Sequence, residues 1–423
     1  MRDRRTADRD GTGRGRVAIV GLFPPPGEAS LREGSIATCI HDLVCTVPEK
    51  WRSRLIVLGN ALPGHRGAAV EEGIAVDRCW ERGSLRYPEQ ILAAVRRHRP
   101  AAVHVYYEIF LFGGAGAALR FPGLLHRLRE GGWRTLVTIS NLVPWARLTV
   151  DYMRLTHTPP LPWLAKPVLR LHYHRLLAVA ERITTFESNA ADTLHGDYGL
   201  PRERVEVIPL GVSRRDRASR QWPARARLGL LANQIVLLFF GYLTRYKGVD
   251  LLLEGFARHA RSCRDTVLLV GGGKPTRLEG SHSYEGFWRD LQERGARVEA
   301  GRAQMLGYVP GERVDDLFAA TDLLCLPYRA HMSSSGPLIQ GLSWGLPMLL
   351  TDAFEDIVPA SWSFCEARPE AVARFLDRFM TQPGFRKELE ARFTRWAASR
   401  PTVSDVTERY LSIYDELAGP AEG

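Results

Sequence analysis

Arg245 and Lys247 stand two positions apart, between an apolar, aromatic-rich run (236–240) and an apolar-periodic one beginning at Val249. The first run reads as a buried strand that stops at Gly241. The second reads as a helix with Asp250 in its first turn, where a carboxylate suits the dipole. A strand thus delivers two cations to a loop at its carboxyl end, where α/β sheets bind ligands, and a diphosphate suits such a pair. Of 57 Lys and Arg only five are Lys, at 50, 166, 247, 274 and 387. Lys247 and Lys274 each follow an apolar run beside glycine, where a compact point charge suits phosphate.

A second anion-binding pattern lies at 333–350. Three serines lead into Gly336 and Pro337. Ser335 reads as a helix cap, Pro337 fits the first turn, and the amides near Ser335 and Gly336 would offer hydrogen bonds to an anion. The dipole contributes only roughly 0.3–1 kcal/mol, so it must act together with Arg245 and Lys247. In the N-terminal half, His104 and Glu108 fall at the carboxyl end of an apolar run. His104 fits a core position as well as a reactive one, whereas a buried, unpaired Glu108 would be costly. Gly34-Ser35 follows a proline-rich turn in an early loop, where bare backbone can approach a phosphate or an acceptor closely.

Other patterns carry less. The six cysteines (39, 45, 79, 263, 325, 365) form no CxxC pair, a reduced pattern without a metal cluster. His172 and His174 are two apart and share no helix face, which argues against zinc. Asp8-Arg9-Asp10 spells DxD inside a charged tail, and Gly271-Gly272-Gly273 lacks the dinucleotide spacing. Net charge is +10, but no block of basic and aromatic residues resembles a nucleic-acid module. That balance suits a nucleotide-linked substrate or a peripheral membrane contact; residues 159–173 mix aromatic, proline and basic side chains that fit a membrane-facing or acceptor-binding helix or a plain surface helix. No signal peptide and no 18-residue apolar run is present, so a cytoplasmic chain is expected, with peripheral contact at the inner membrane face.

Strand-like runs at 17–22, 55–58, 102–107, 136–140, 183–188 and 205–210, then at 235–240, 267–270, 323–328 and 348–351, alternate with helix-like stretches such as 89–97, 164–180, 190–198, 314–320 and 371–380. This predicts an α/β protein of two Rossmann-like doubly wound domains. Residues 1–15 read as a disordered basic tail, 16–208 and 209–400 as the two domains, and 401–423 as a helix and tail returning to the first domain.

Several of these segments together resemble the GT-B glycosyltransferases, family 4 in particular. Gly241-Tyr242-Leu243-Thr244-Arg245-Tyr246-Lys247-Gly248 is similar to the family's Gly-Arg-Leu-x-x-x-Lys-Gly, with Tyr242 in place of its Arg. Gly271-Gly272-Gly273, Gly307-Tyr308-Val309-Pro310, Ala319-Ala320-Thr321-Asp322 and Gly345-Leu346-Pro347 follow in family order, and Val207 to Val212 and Val103 to Glu108 look similar in the N-domain. The resemblance spans about residues 16–417. The family's Glu-x7-Glu falls on Met332 and Gln340; Gln340 keeps a hydrogen-bonding amide, but a neutral bond has about half the strength of a charge-assisted one. Ser140 stands where the family commonly carries a histidine.

The resemblance implies a GT-B fold with a central cleft and sugar transfer from a nucleoside-diphosphate donor (UDP-, GDP- or dTDP-linked) to a small-molecule, lipid-linked or polysaccharide hydroxyl. It implies retention of anomeric configuration, with no metal and no cofactor. Arg245, Lys247, Ser335 and Gly336 would hold the diphosphate, and Gln340, Gly307 and Tyr308 the ribose and base. Glu108, Ser140 and Asn141 would serve catalysis, with Gly34 and Ser35 on the N-domain loop. The lost glutamates leave two alternatives: an inactive nucleotide- or glycan-binding partner protein, or a nucleotide-sugar epimerase using Glu108, His104 or His331.

Overall fold

The computed structural model describes residues 15–26, 34–275, 278, 280–298, 301–330, 334–359 and 362–418. The basic tail up to Arg14, with its DxD, lies outside the described residues, as do His331, Met332 and Ser333.

Among the described residues thirteen strands form two sheets. In chain order they are β1 (Val17–Val20), β2 (Leu55–Asn60), β3 (Gly67–Glu71), β4 (Ile74–Trp80), β5 (Ala102–Tyr107), β6 (Arg134–Ile139), β7 (Arg182–Thr185) and β8 (Val205–Val207). The second set is β9 (Ile235–Phe240), β10 (Thr266–Gly271), β11 (Ala303–Gly307), β12 (Leu323–Leu326) and β13 (Met348–Leu350). The first sheet runs β3-β4-β2-β1-β5-β6-β7-β8 and the second β11-β10-β9-β12-β13. All pairings are parallel except β3 with β4. Helices cover both faces, which is why β1, β5, β9 and β12 are nearly unbroken apolar runs, buried throughout except for the half-buried Ile235 that opens β9. The expected α/β architecture of two doubly wound sheets is the one observed.

Three strands escaped the sequence pattern. β3 is built of Gly-Ala-Ala-Val-Glu and lies at an edge with four exposed residues. β4 mixes Asp77 and Arg78 into its apolar positions, and β11 is a half-exposed edge strand. Small or polar residues weaken the period-two signal at edges. Conversely, the expected strand at 205–210 is only Val205–Val207, because Pro209 lacks an N–H for a ladder.

Each sheet has its own core. Leu210 packs against both, at the crossing from one domain to the other. The last helix, Val403–Ala418, returns to the first domain, where Tyr410, Ile413 and Tyr414 are buried in its core. A bidentate pair of Arg400 with Glu187 (2.8 and 3.3 Å), nine-tenths buried, pins this return.

Candidate functional site

The parallel strands of each sheet reverse their order once, between β1 and β5 in the first and between β9 and β12 in the second. Loops at such a switch point diverge and leave a crevice at the strands' carboxyl ends. The two crevices face each other across one solvent-open cleft of about 1620 Å³. Its walls include Leu22 beyond β1, Glu108 beyond β5, Gly241 and Lys247 beyond β9, and Tyr328 beyond β12.

Lys247 ends the short turn Arg245–Lys247, and its side chain is buried (7% exposed) against the cleft. Among the described residues no carboxylate or hydrogen-bond acceptor holds its ammonium. Burial pulls its pKa down from 10.5 to about 8. Gly241 makes this placement possible: at φ 126°, its missing Cβ would lie 2.6 Å from Lys247 Nζ. Two further buried polar groups line the same wall without partners, Thr244 Oγ1 and the Tyr328 hydroxyl, with Ser335 beside the latter but no hydrogen bond completed. Buried polar groups are normally satisfied. Two unsatisfied hydroxyls beside an ammonium that no acceptor holds suit an incoming anion with several acceptor oxygens.

Two helices begin at this place, one from each domain. Helix Gly336–Ser343 has Ser335 as its cap, whose hydroxyl accepts from Leu338 N–H (3.4 Å). Pro337 has no N–H, which leaves the Gly336 N–H as the unclaimed donor of that start. Helix Ser35–Thr46 opens opposite it after Gly34, with no side chain capping it. Both starts present positive dipole ends to the cleft. Ser35, expected in a loop, opens a helix instead: Gly34 and the prolines before it mask the onset of the apolar period.

The remaining expected residues divide. Glu108, Asn141, Gln340 and Tyr308 line the cleft and are partly exposed. Ser140 also lines it, but its hydroxyl donates to the Tyr107 carbonyl (3.3 Å), and its own carbonyl accepts from Ser334 Oγ (2.9 Å), a hydrogen bond across the domains. Arg245 is exposed and outside the lining, its guanidinium 4.7 Å from the centre of the Phe287 ring. Its neighbour Lys247 turns inward, so only one of the two expected cations reaches the wall. Gly307 ends β11 and also lies outside the lining; its carbonyl accepts from Gly272 N–H (2.8 Å), tying the two loops that flank Tyr308. Lys274 is paired with Glu285 (2.6 Å). His104 is a core histidine, fully buried between the Tyr414 hydroxyl (2.6 Å) and Thr138 Oγ1 (2.7 Å), with burial pulling its pKa to about 3. It cannot serve an epimerase as acid or base.

Sequence reasoning missed Arg82, Thr244 and Tyr328. Arg82 lines the first-domain side of the cleft, beyond the unrecognised strand β4. Tyr328 is the last residue of the expected strand 323–328, but the observed strand β12 ends at Leu326, and the position of Tyr328 at a switch point becomes visible only once the strand order is known.

Comparison with known proteins agrees with this geometry. Residues 34–211 match the family described as glycosyl transferase 4-like domain, and residues 234–382 match glycosyl transferases group 1. Alpha-D-kanosaminyltransferase of Streptomyces kanamyceticus is 23% identical over 352 residues, covering 80% of this chain and 83% of that protein. D-inositol 3-phosphate glycosyltransferase 1 of Catenulispora acidiphila is 36% identical over 168 residues, 36% of this chain and 40% of that one. Among solved structures, HepE of Anabaena in complex with UDP and glucose superposes with a TM-score of 0.67 at 14% identity, over 94% of this chain and 99% of that one. Sucrose-phosphate synthase of Thermosynechococcus elongatus gives 0.70 at 14%, over 96% and 99%. With both halves matched in order by glycosyltransferase families and the fold shared over 94–96% of the chain, the protein belongs to the GT-B glycosyltransferases and is a family-4-like enzyme of group 1.

Proposed function

We propose that this enzyme transfers a sugar from a nucleoside-diphosphate sugar to an acceptor hydroxyl, with retention and without a metal. The observation that carries the proposal is the buried, unpaired Lys247 on the same wall as the Gly336 helix start. A leaving diphosphate gains negative charge as the anomeric bond breaks. Lys247 and the two helix starts would offset it, the role a divalent ion plays elsewhere. The acceptor oxygen then bonds to the anomeric carbon as the carbon–phosphate oxygen bond breaks. The acceptor proton passes to the departing phosphate oxygen on the same face. Glu108 and Asn141 orient sugar or acceptor, Ser140 fixes the crossing to Ser334, and Gln340 with Tyr308 holds ribose and base. Neutral Gln340 is a weaker holder than a carboxylate, so donor affinity rests more heavily on Lys247.

UDP comes first as a probe, since HepE is described in complex with it. Thermal shift with UDP, GDP, dTDP and ADP in EDTA, on wild type and Lys247→Ala, tests the reading. A ligand at about 100 times its dissociation constant adds roughly 2.7 kcal/mol. One diphosphate should shift the wild type and lose its effect in the variant. No shift with any diphosphate would leave a glycan-binding partner protein as the better reading.

A second observation bears on the acceptor. Helix Pro162–Leu177 leaves Trp163, Leu164, Val168 and Leu171 exposed, Trp163 by 71%. Residues 152–180 contain no Asp or Glu but four Lys and Arg. An apolar, purely basic helix face suits the surface of an anionic bilayer on the cytoplasmic side, and with it a lipid-linked acceptor. Among the described residues no helix is long and apolar enough to cross a membrane. Co-sedimentation with anionic but not neutral vesicles, weakened by Trp163→Ala, is expected; equal recovery with both would point to a water-soluble acceptor.

A further inference from the structure

Away from the cleft, the helix Ser35–Thr46 carries His41 and Cys45 one turn apart, so both point the same way. Facing them is Glu72, at the tip of the β3–β4 hairpin. The three donor atoms already stand together: His41 Nε2 to Glu72 Oε2 is 2.8 Å, Cys45 Sγ to Glu72 Oε2 is 3.2 Å and Cys45 Sγ to His41 Nε2 is 3.5 Å. We propose that His41, Cys45 and Glu72 form a binding site for a zinc-type divalent cation, with water as the fourth ligand.

Tetrahedral zinc, with bonds of about 2.0–2.3 Å to N, O and S, holds its ligands roughly 3.3–3.6 Å apart. Two of the three observed separations nearly meet that range, and the His41–Glu72 contact needs to open by only about half an ångström. The set itself is diagnostic. Thiolate, imidazole and carboxylate together suit a borderline-soft ion and do not suit magnesium or calcium. Asp42 stands 3.9 Å from His41 Nδ1, on the far side of the ring from the donors and beyond hydrogen-bond length; a shift of about 1 Å would let its carboxylate orient a ligating imidazole.

The hairpin supplies a second, independent observation. Glu71 pairs with Ile74, so Glu72 and Gly73 form a two-residue turn, with φ of 52° and 79°. Such turns favour Asn or Asp before Gly, because a larger side chain at positive φ costs of order 1 kcal/mol. Here the unfavoured glutamate is the residue whose carboxylate reaches the helix. On metal binding the Cys45 thiol and the His41 imidazolium, now paired with Glu72, would each release a proton to solvent, so that thiolate and neutral imidazole face the ion. The ion would then tie the first helix to the edge hairpin and brace the helix whose other end opens on the cleft. Linear spacing hides the group, because Glu72 lies 27 residues beyond Cys45.

The test uses the full chain without a polyhistidine tag, stripped by chelator and titrated with cobalt(II), then zinc. A thiolate-to-cobalt charge-transfer band saturating at one equivalent, and abolished by zinc, is expected. Cys45→Ser should remove the band, and Glu72→Gln should weaken binding at least tenfold with an unchanged circular dichroism spectrum. Asp42→Asn should weaken it about tenfold. No band at micromolar metal, or a band surviving in Cys45→Ser, overturns the site and leaves a plain His41–Glu72 ion pair. Diphosphate thermal shifts in Cys45→Ser report separately on the cleft, so failure of either reading is recognised independently.

Discussion

Gly336 and Ser35 stand face to face across the domains: a Cβ built on Gly336 would lie 3.2 Å from Ser35 Cβ. The two helix starts therefore meet at the cleft, whose lining includes Gly34, Ser35, Ser335 and Gly336. The contact is tighter than an ordinary van der Waals one but needs only a few tenths of an ångström of relief.

Gly336→Ala uses that margin. Its backbone is not at positive φ, so fold stability should change little. The added methyl parts the helix starts and weakens their joint hold on a diphosphate. Affinity for the donor nucleotide should fall about tenfold, or ~1.4 kcal/mol. Calorimetry of the nucleotide on both proteins decides it, and equal affinities would move the phosphate away from this junction.

Lys247 gives a pH signature. Its pKa is about 8 in the empty cleft against 10.5 unfolded. Between those values the unfolded chain holds a proton that the folded chain has released, so stability of the unliganded protein rises with pH across that window. A bound diphosphate favours the ammonium, so affinity should drop as pH climbs above 8, by up to about tenfold per unit, with proton uptake on binding. Titrations in buffers of different ionisation enthalpy measure that uptake. Lys247→Met should abolish it while making the empty protein more stable, since an unpaired buried charge is removed. A destabilised Lys247→Met would mean the ammonium has a partner in the folded protein.

How much of this could be read from residues alone depends on whether the signal is local. The β9–Lys247 segment and the Ser335–Gly336 start were legible because strand, turn and cap are written in consecutive residues. Arg245 was misplaced because two cations two positions apart on a tight turn point in different directions, which composition does not reveal. His104 was ambiguous for a similar reason: its partners, Tyr414 and Thr138, lie 310 and 34 residues away. Tyr328 and Arg82 became site residues only through strand order.

For His104 the expected outcome is structural. His104→Phe orphans the Tyr414 hydroxyl, while Thr138 keeps Thr184 and Tyr410 as partners, and should cost about 1–3 kcal/mol. Its folded pKa, about 3, lies below the unfolded 6.5, so it contributes acid sensitivity between those values, where only the unfolded chain takes up the proton. Chemical denaturation at pH 5 and 7 should show less acid loss in the variant. Nucleotide affinity should not change; if it does, the histidine communicates with the cleft.

The crossing between domains offers the sharpest double-mutant test. Glu187 precedes helix Ser188–Gly196 of the first domain, and Arg400 ends helix Pro383–Ser399 of the second. Burial raises the Glu187 pKa, and Arg400 draws it back down. Removing one member leaves a buried charge uncompensated. Glu187→Ala should therefore cost about 3–5 kcal/mol. Replacing both, with Glu187→Leu and Arg400→Met, removes the desolvation of two ions together and fills the space with apolar atoms. That double variant should recover most of the loss, since such exchanges are often neutral or better. If the pair also sets how the domains meet, the double variant will be stable yet bind the nucleotide more weakly, because the Gly336 and Ser35 starts no longer align. Recovery of stability and affinity together would show that apolar packing at Leu210 suffices to hold the cleft.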